Sequence, residues 1–249
     1  MRRSTREGFE AAWRQRFERF AAQSDGWSAS GLAARARRFA ALWCGGVGGE
    51  RWLDAGCGAG TYCRYLERQG VEVVGADYSF GTLQKAKKRL GEDVPLVLAD
   101  VRWLPFESHA FDGALCFGVL QALADSSAAL RELSSSVRPG GTVWVDALNS
   151  RCVMHLLAML WRFVRGRRLH LRYESPRQVV AIMRACGLEE VRVYWMPILP
   201  TRFARFQQWM ESPAMQGVLK YVPLLGPLSS HAFIATGRKP LGAGGGSVG

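Results

Sequence analysis

Short apolar runs alternate with helix-like stretches over residues 50 to 148 of the sequence. The apolar runs are bounded by glycine, proline or polar turn residues, which is typical of buried β-strands. These predicted strands lie at residues 52–55, 71–77, 96–98, 114–117 and 142–146. Apolar residues at helical spacing predict a helix after the first strand and two more at residues 82–90 and 126–135. Alternating strands and helices predict a parallel sheet whose ligand loops lie at the carboxyl ends of the strands.

Further helices and strands are predicted on both sides of this region. Residues 1–43 predict two helices separated by a turn-rich break that contains Trp27, and a glycine-rich joint leads into the first strand. The later elements are helices at 151–168 and 177–186, a strand at 191–195, a helical segment at 201–221 and a strand at 231–237. The resulting division is a helical extension or lid (1–48), an α/β domain (49–240) with helical insertions at about 150–186 and 201–222, and a disordered tail (241–249).

Composition limits the class of protein. The chain has 249 residues, 48% of them hydrophobic, which suits one α/β domain with additions. Its six cysteines form no Cys-x-x-Cys pair, so we expect reduced thiols, a cytoplasmic location and no metal site. We see no signal-peptide pattern, and no apolar run reaches the ~20 residues of a membrane-spanning helix. The net charge of +12 fits nucleic acid, an anionic membrane or an acidic substrate, or simply a solvated arginine-rich surface.

A glycine-rich loop follows the first predicted strand. Gly56, Gly58 and Gly60 alternate with single residues, and the absence of Cβ atoms allows a tight turn with a ligand directly against the backbone. The helix that follows presents unpaired N–H groups to that ligand. Asp77 stands at the tip of the second strand, roughly 20 residues on, where a carboxylate accepts hydrogen bonds from ribose hydroxyls. This combination predicts a nucleotide-type cofactor site.

The Gly-x-Gly-x-Gly spacing differs from the Gly-x-Gly-x-x-Gly of dinucleotide-binding proteins. Residues 53–60 instead resemble the first motif of class I S-adenosylmethionine (SAM)-dependent methyltransferases, and residues 98–106, 111–121 and 137–145 resemble later motifs of that family in the same order. The resemblance is to the small-molecule, quinone-type branch with a domain of the methyltransferase 11 kind. It implies SAM as cofactor and a Rossmann-like fold, in which a mostly parallel seven-stranded sheet has an antiparallel last strand.

The resemblance also implies which residues hold SAM. Asp54 would orient the loop and the SAM amino group, Asp77 would bind the ribose, and Tyr78 would cover the adenine face. Asp100 would accept a hydrogen bond from the adenine amino group, and Val101 would supply a backbone N–H. The full predicted set is Asp54, Gly56, Cys57, Gly58, Gly60, Asp77, Tyr78, Asp100 and Val101, with Cys116, Phe117 and Gly118 near the sulfonium.

The catalytic residues are less evident. Methyl transfer is an in-line attack that depends mostly on alignment, and a base helps only when the acceptor carries a proton. Many small-molecule members of the family have a histidine near the position of Gln121, whose amide can position a substrate but cannot take a proton. His170 and Tyr173 lie in the insertion loop, where a substrate would enter. The predicted catalytic set is therefore His170, Tyr173 and Gln121, with His170 as the candidate base.

Three functions remain open from the sequence. The first is a SAM-dependent methyltransferase that acts on an O, N or C atom of a small, apolar or lipid-like molecule. For this enzyme, the apolar helix at 151–168 predicts either a lid over the pocket or a surface resting on an anionic membrane. The second is an RNA methyltransferase or nucleic-acid-binding protein, although no RNA-binding motif supports it. The third is a SAM-binding protein that has lost catalysis. A monomer or a homodimer is expected.

Overall fold

The computed structural model describes residues 29–45, 48–164, 172–199 and 205–241. In these residues seven strands form one sheet in the order β3-β2-β1-β4-β5-β7-β6. The strands are β1 (Arg51–Ala55), β2 (Glu72–Asp77), β3 (Leu96–Leu98), β4 (Phe111–Cys116), β5 (Val137–Leu148), β6 (Glu189–Met196) and β7 (Ala232–Arg238). Strands β1 to β5 pair in parallel, and β7 runs antiparallel between β5 and β6. The predicted Rossmann-like sheet is therefore confirmed.

Helices pack around this sheet. They are α1 (Ala29–Leu42), α2 (Thr61–Arg68), α3 (Phe80–Leu90), α4 (Ser127–Ser136), α5 (Val153–Val164), α6 (Pro176–Ala185), α7 (Gln207–Glu211), α8 (Pro213–Tyr221) and α9 (Leu225–Ser229), with a 3₁₀ turn at Leu120–Ala122. Among the described helices, none has the length and apolar character needed to cross a membrane.

The second insertion is divided rather than continuous. The backbone breaks at Ser212, whose hydroxyl accepts a hydrogen bond from the Met215 N–H, and Pro213 opens α8. A residue before proline is disfavoured in the α conformation, so a new helix begins there. The sequence predicted that the fifth strand begins at residue 142. In the structure β5 begins at Val137, and the Pro-Gly-Gly stretch at residues 139–141 is part of the strand rather than a turn before it.

Close packing between neighbouring strands fixes the centre of the sheet. Trp52 of β1 lies opposite Gly113 of β4, and a Cβ at Gly113 would stand 2.5 Å from the Trp52 ring. Glycine is therefore required beside the buried indole. On the same face, Phe39 of α1 is fully buried and meets the Tyr62, Phe117 and Trp144 rings edge-on at centroid distances of 6.0, 5.5 and 5.5 Å. These contacts seat α1 across the sheet, next to the loop that follows β1.

Candidate functional site

The loop between β1 and α2 is a tight, glycine-dependent turn. The backbone N–H groups of Gly56 and Cys57 both donate to the Ala76 carbonyl, at 2.6 and 3.0 Å. Gly56 and Gly58 have φ of 83° and 53°, in the left-handed region that favours glycine. A Cβ on Gly56 would come 2.1 Å from Val119 Cγ2, whereas a Cβ on Gly58 would meet no protein atom within 4 Å. Gly56 is therefore needed for packing, and Gly58 leaves its open side to the cavity.

Asp77 closes this loop from the end of β2. Its Oδ2 accepts from the Gly58 N–H at 2.9 Å, and its Oδ1 accepts from the Ser79 N–H at 2.8 Å and the Thr82 hydroxyl at 3.2 Å. The residue is only 4% exposed, and burial raises the pKa of its carboxyl despite these hydrogen bonds. Asp77 therefore shapes the loop as well as facing the cavity.

A cavity opens at the carboxyl ends of β1, β2 and β4. Its described lining consists of Leu32, Arg35, Gly56, Cys57, Gly58, Ala59, Thr61, Tyr62, Asp77, Tyr78, Ala99, Asp100, Val101, Arg102, Phe117, Gly118, Val119, Ala122 and Leu123. This set contains nine of the twelve residues predicted to bind the cofactor. Empty space in the cavity and at its open mouth is about 1020 Å³.

The other three predicted cofactor residues lie behind the cavity wall. Gly60 packs against α3, where a Cβ would stand 2.6 Å from Leu90 Cδ1, and Cys116 is fully buried in the core. Asp54 is 1% exposed; its Oδ2 accepts from the Cys63 thiol at 3.2 Å. Its Oδ1 has no partner among the described residues. Burial, helped by the nearby charge of Asp77, raises the pKa of Asp54 to about 7.

Asp100 and Val101 lie at the end of β3. The Asp100 carboxylate accepts two hydrogen bonds from the Arg102 guanidinium, at 2.9 and 2.7 Å. It also accepts from the Arg102 backbone N–H at 3.0 Å. A carboxylate has further lone pairs, so this pairing orients Asp100 without using up its capacity to accept from a ligand. Val101 is nearly buried beside it.

A buried ion pair that sequence reasoning did not identify adjoins the cavity. Arg35 of α1 donates from Nε to Asp146 Oδ2 at 2.7 Å, and both side chains are almost fully buried. Asp146 Oδ1 accepts from the Gly118 N–H at 2.6 Å. A carboxylate in an otherwise apolar strand was the available signal, because buried acids are nearly always paired. The pair joins α1 to the end of β5 and places a cation in the cavity lining.

Two of the predicted catalytic residues, Gln121 and Tyr173, are not part of the described cavity lining. His170 falls outside the described residues, as does Trp27 of the predicted lid. Gln121 is 1% exposed, and both polar atoms of its amide lack a partner among the described residues. The Tyr173 ring stacks on His155 of α5 with centroids 3.4 Å apart and meets His231 edge-on at 5.6 Å.

His231 has a strongly perturbed environment. Burial, together with the positive charges of Arg35 and the neighbouring His155, lowers its pKa to about 4. The imidazole is therefore neutral near pH 7. The neutral His231, Tyr173 and His155 therefore form a chain of ring contacts next to α5.

The cavity residues suit SAM on chemical grounds. Asp77 supplies a carboxylate for hydroxyl groups, and the open face of Gly58 allows a ligand to approach the backbone. Arg35 supplies positive charge for a carboxylate, and Phe117 and Tyr62 supply apolar surface. Among the described residues, no group of three or more His, Cys, Asp or Glu side chains is arranged to hold a metal ion.

Comparison with known proteins agrees with this geometry. Residues 53–145 match the family described as methyltransferase domain. A demethylmenaquinone methyltransferase from Corynebacterium kroppenstedtii is 38% identical over 97 residues, covering 39% of this chain and 41% of the relative. A ubiquinone biosynthesis O-methyltransferase from Chromobacterium violaceum is 29% identical over 155 residues, covering 57% of this chain and 66% of the relative. The chain thus spans less than two thirds of each of these relatives.

A solved structure shows the same fold. Phosphoethanolamine N-methyltransferase 2 from Haemonchus contortus, in complex with S-adenosyl-L-methionine, superposes with a TM-score of 0.60 at 18% sequence identity. The match covers 82% of this chain and 52% of that chain. At this level of identity the likeness shows the fold, and the family match over residues 53–145 is the finding that supports the methyltransferase domain predicted from the sequence motifs.

Proposed function

We propose that this chain, whose residues 53–145 belong to the methyltransferase domain family, is an enzyme that transfers a methyl group from SAM to an O, N or C atom of a small, apolar or lipid-like molecule. The observation that carries the proposal is the loop after β1, held by Asp77 through the Gly58 N–H at 2.9 Å. It combines an open backbone face with a carboxylate at the tip of the next strand, as nucleotide-type cofactors require.

SAM supplies an electrophilic methyl group next to a positively charged sulfur, so the protein has chiefly to bind, align and exclude water. We assign the ribose hydroxyls to Asp77 and the adenine to the wall formed by Tyr78, Asp100 and Val101. We assign the methionine carboxylate to Arg35, whose charge lies beside Gly118 through the shared partner Asp146.

The acceptor side is proposed from chemistry and from the relatives. The names of both relatives, demethylmenaquinone methyltransferase and ubiquinone biosynthesis O-methyltransferase, refer to quinones. Quinone acceptors are apolar molecules. Gln121 is proposed as a positioning residue, since its buried amide has no partner among the described residues. Tyr173 and His170 remain proposed acceptor contacts, with His170 as the candidate base. The alternative of RNA methylation finds no support in the comparisons.

The first test is binding. Titration calorimetry of the full chain with SAM should show binding that Asp77→Asn weakens at least about tenfold, the effect of losing roughly 1.4 kcal/mol. Asn keeps the shape of Asp77, so the loop can stay folded. The matched control is Asp93→Asn, which neutralises an exposed carboxylate just after α3. Equal affinity in all three proteins would refute the assigned site.

The second test is transfer. Labelled methyl from SAM should pass to the organic phase of a fractionated cell extract, and the Asp77→Asn variant should lose this transfer. Label confined to the RNA fraction would refute the small-molecule assignment. Tight SAM binding without transfer to any fraction would support the alternative of a SAM-binding protein without catalysis.

Peripheral contact with an anionic membrane is a separate proposal that does not depend on methyl transfer. Exposed apolar side chains on α5 and α9 give it a candidate surface.

A further inference from the structure

Helix α5 presents an apolar surface to solvent. Met154, Leu157 and Trp161 follow one another at helical spacing and are 55%, 56% and 51% exposed. In the same helix His155 is only 5% exposed, because its ring stacks on Tyr173. None of the described cavity-lining residues belongs to α5. Among the described side chains of α5, the polar His155 is therefore inside and the large apolar residues are outside, which is the reverse of an ordinary surface helix.

Helix α9 packs next to α5 and continues this surface. Leu224, Leu225 and Leu228 are 65%, 37% and 40% exposed. Leu224 has φ 64° and ψ −18°, a left-handed conformation that is unfavourable for a residue other than glycine. A strained backbone that holds an apolar side chain in solvent is typical of a functional position. We call the exposed side chains of Met154, Leu157, Trp161, Leu224, Leu225 and Leu228 the α5–α9 surface.

The charge around this surface is almost entirely positive. Residues 149–164 and 205–229 contain one acidic residue, Glu211, which is bound by Arg37 of α1. Arg151 precedes α5, and Lys220 lies in α8, 4.9 Å from the centre of the Tyr221 ring. Tyrosine and tryptophan rings favour the boundary between water and lipid, and basic residues near that boundary are attracted to anionic headgroups.

We propose that the α5–α9 surface docks on an anionic lipid bilayer. Burial in lipid removes exposed apolar area from water, and the flanking cations meet anionic headgroups. A second copy of the chain fits less well, because a two-fold interface would place the same uncompensated cations close to one another.

The docked orientation also connects to the catalytic cavity. His155, on the inner side of α5, contacts Tyr173, and Tyr173 in turn contacts His231. Arg35, which pairs with Asp146 in the cavity lining, lies close enough to His231 to lower its pKa. An apolar acceptor dissolved in the bilayer would therefore arrive on the α5 side of the site. This part of the inference rests on the proposed function, whereas docking itself does not.

The test is flotation of the full chain with lipid vesicles. Vesicles of phosphatidylcholine with phosphatidylglycerol should carry the protein upward, vesicles of phosphatidylcholine alone should carry much less, and high salt should reduce the effect. Leu157→Glu/Trp161→Glu should lower the partition coefficient onto anionic vesicles at least about tenfold, because two exposed apolar side chains that would enter the lipid are replaced by anions. Phe80→Glu/Leu241→Glu is the charge-matched control, because both residues are exposed and lie outside the α5–α9 surface.

Three results would overturn the inference. They are no flotation with anionic vesicles, equal loss in the control variant, and a dimer in light scattering that Leu157→Glu/Trp161→Glu dissociates. SAM titration on the same samples separates the two proposals. Normal SAM binding without flotation refutes only the docking surface, whereas flotation without SAM binding refutes only the proposed enzyme.

Discussion

Replacing Arg35 with methionine tests how the buried ion pair holds α1 over the cavity. Methionine fills most of the space, but it leaves the charge of Asp146, which is 0% exposed, with the Gly118 N–H as its remaining hydrogen-bond donor among the described residues. Removing one partner of a buried pair costs about 3–5 kcal/mol. The expected loss in the free energy of unfolding is therefore about 3–5 kcal/mol, toward the lower end because the Gly118 hydrogen bond at 2.6 Å remains.

The same helix supplies a matched control. Arg37 also pairs with a carboxylate, that of Glu211, at 2.7 and 2.9 Å, but its side chain is 49% exposed. Exposed pairs contribute about 0–1 kcal/mol, so Arg37→Met should cost about 1 kcal/mol or less. The two substitutions remove the same charge from the same helix and differ mainly in burial.

Urea unfolding of four proteins measures the pair directly. They are the wild type, Arg35→Met, Asp146→Asn and the double variant. Asparagine can still accept from the Gly118 N–H, so the double variant should be more stable than the sum of the single losses predicts, by about 2 kcal/mol. An NMR titration should show the pKa of His231 rising in Arg35→Met, because the Arg35 charge is one cause of its lowered pKa. Equal losses in Arg35→Met and Arg37→Met, or strict additivity in the cycle, would refute the reasoning.

Three further predictions follow from the loop and from the buried titratable groups. Gly58→Ala, at φ 53° with no protein atom within 4 Å of the new Cβ, should lose only about 1–2 kcal/mol of stability but bind SAM at least tenfold more weakly by calorimetry. Gly56→Ala, whose Cβ would stand 2.1 Å from Val119 Cγ2, should instead fail to fold normally by circular dichroism, and a reversed order would contradict the packing argument. Because the pKa of Asp54 is raised to about 7, the native state holds an extra proton between about pH 4 and 7. Stability should fall as pH rises through that window, by up to about 4 kcal/mol, and Asp54→Asn should flatten this part of the pH profile of urea unfolding. Because the pKa of His231 is lowered to about 4, the unfolded state holds the extra proton between about pH 4 and 6.5. Stability should therefore fall as pH drops through that window, by up to about 3 kcal/mol; His231→Gln should remove this loss, and an unchanged profile would refute the assignment.

The buried carboxylates also have a bearing on the cofactor site. Asp54 and Asp77 stand on adjacent strands behind one loop, and the negative charge of Asp77 helps to raise the pKa of Asp54. A positively charged ligand in the cavity would favour the ionised form of both. We therefore expect SAM binding to release protons near pH 7, which calorimetry in buffers of different ionisation enthalpy would detect.

The sequence by itself determined the features that depend on local chain geometry. Over residues 50–148, apolar runs of strand length and helical spacing were enough to predict the order of strands and α-helices, since side-chain periodicity follows directly from backbone geometry. The loop from Gly56 to Gly60 and the acid at Asp77 could be identified for the same reason, because a strand, a turn and a helix in succession bring these residues together. The family resemblance added the remaining predicted cofactor residues, and nine of the twelve in all line the cavity.

Only the tertiary structure decided the features that depend on which surfaces meet. Arg35 and Asp146 are 111 positions apart, and no local pattern pairs one arginine among many with a particular buried acid. Periodicity predicted an apolar helix around α5, but whether its apolar side is covered depends on neighbours that are distant in sequence. Burial likewise sets the pKa of Asp54 and His231, because desolvation depends on everything packed around a group rather than on the residues beside it in the chain.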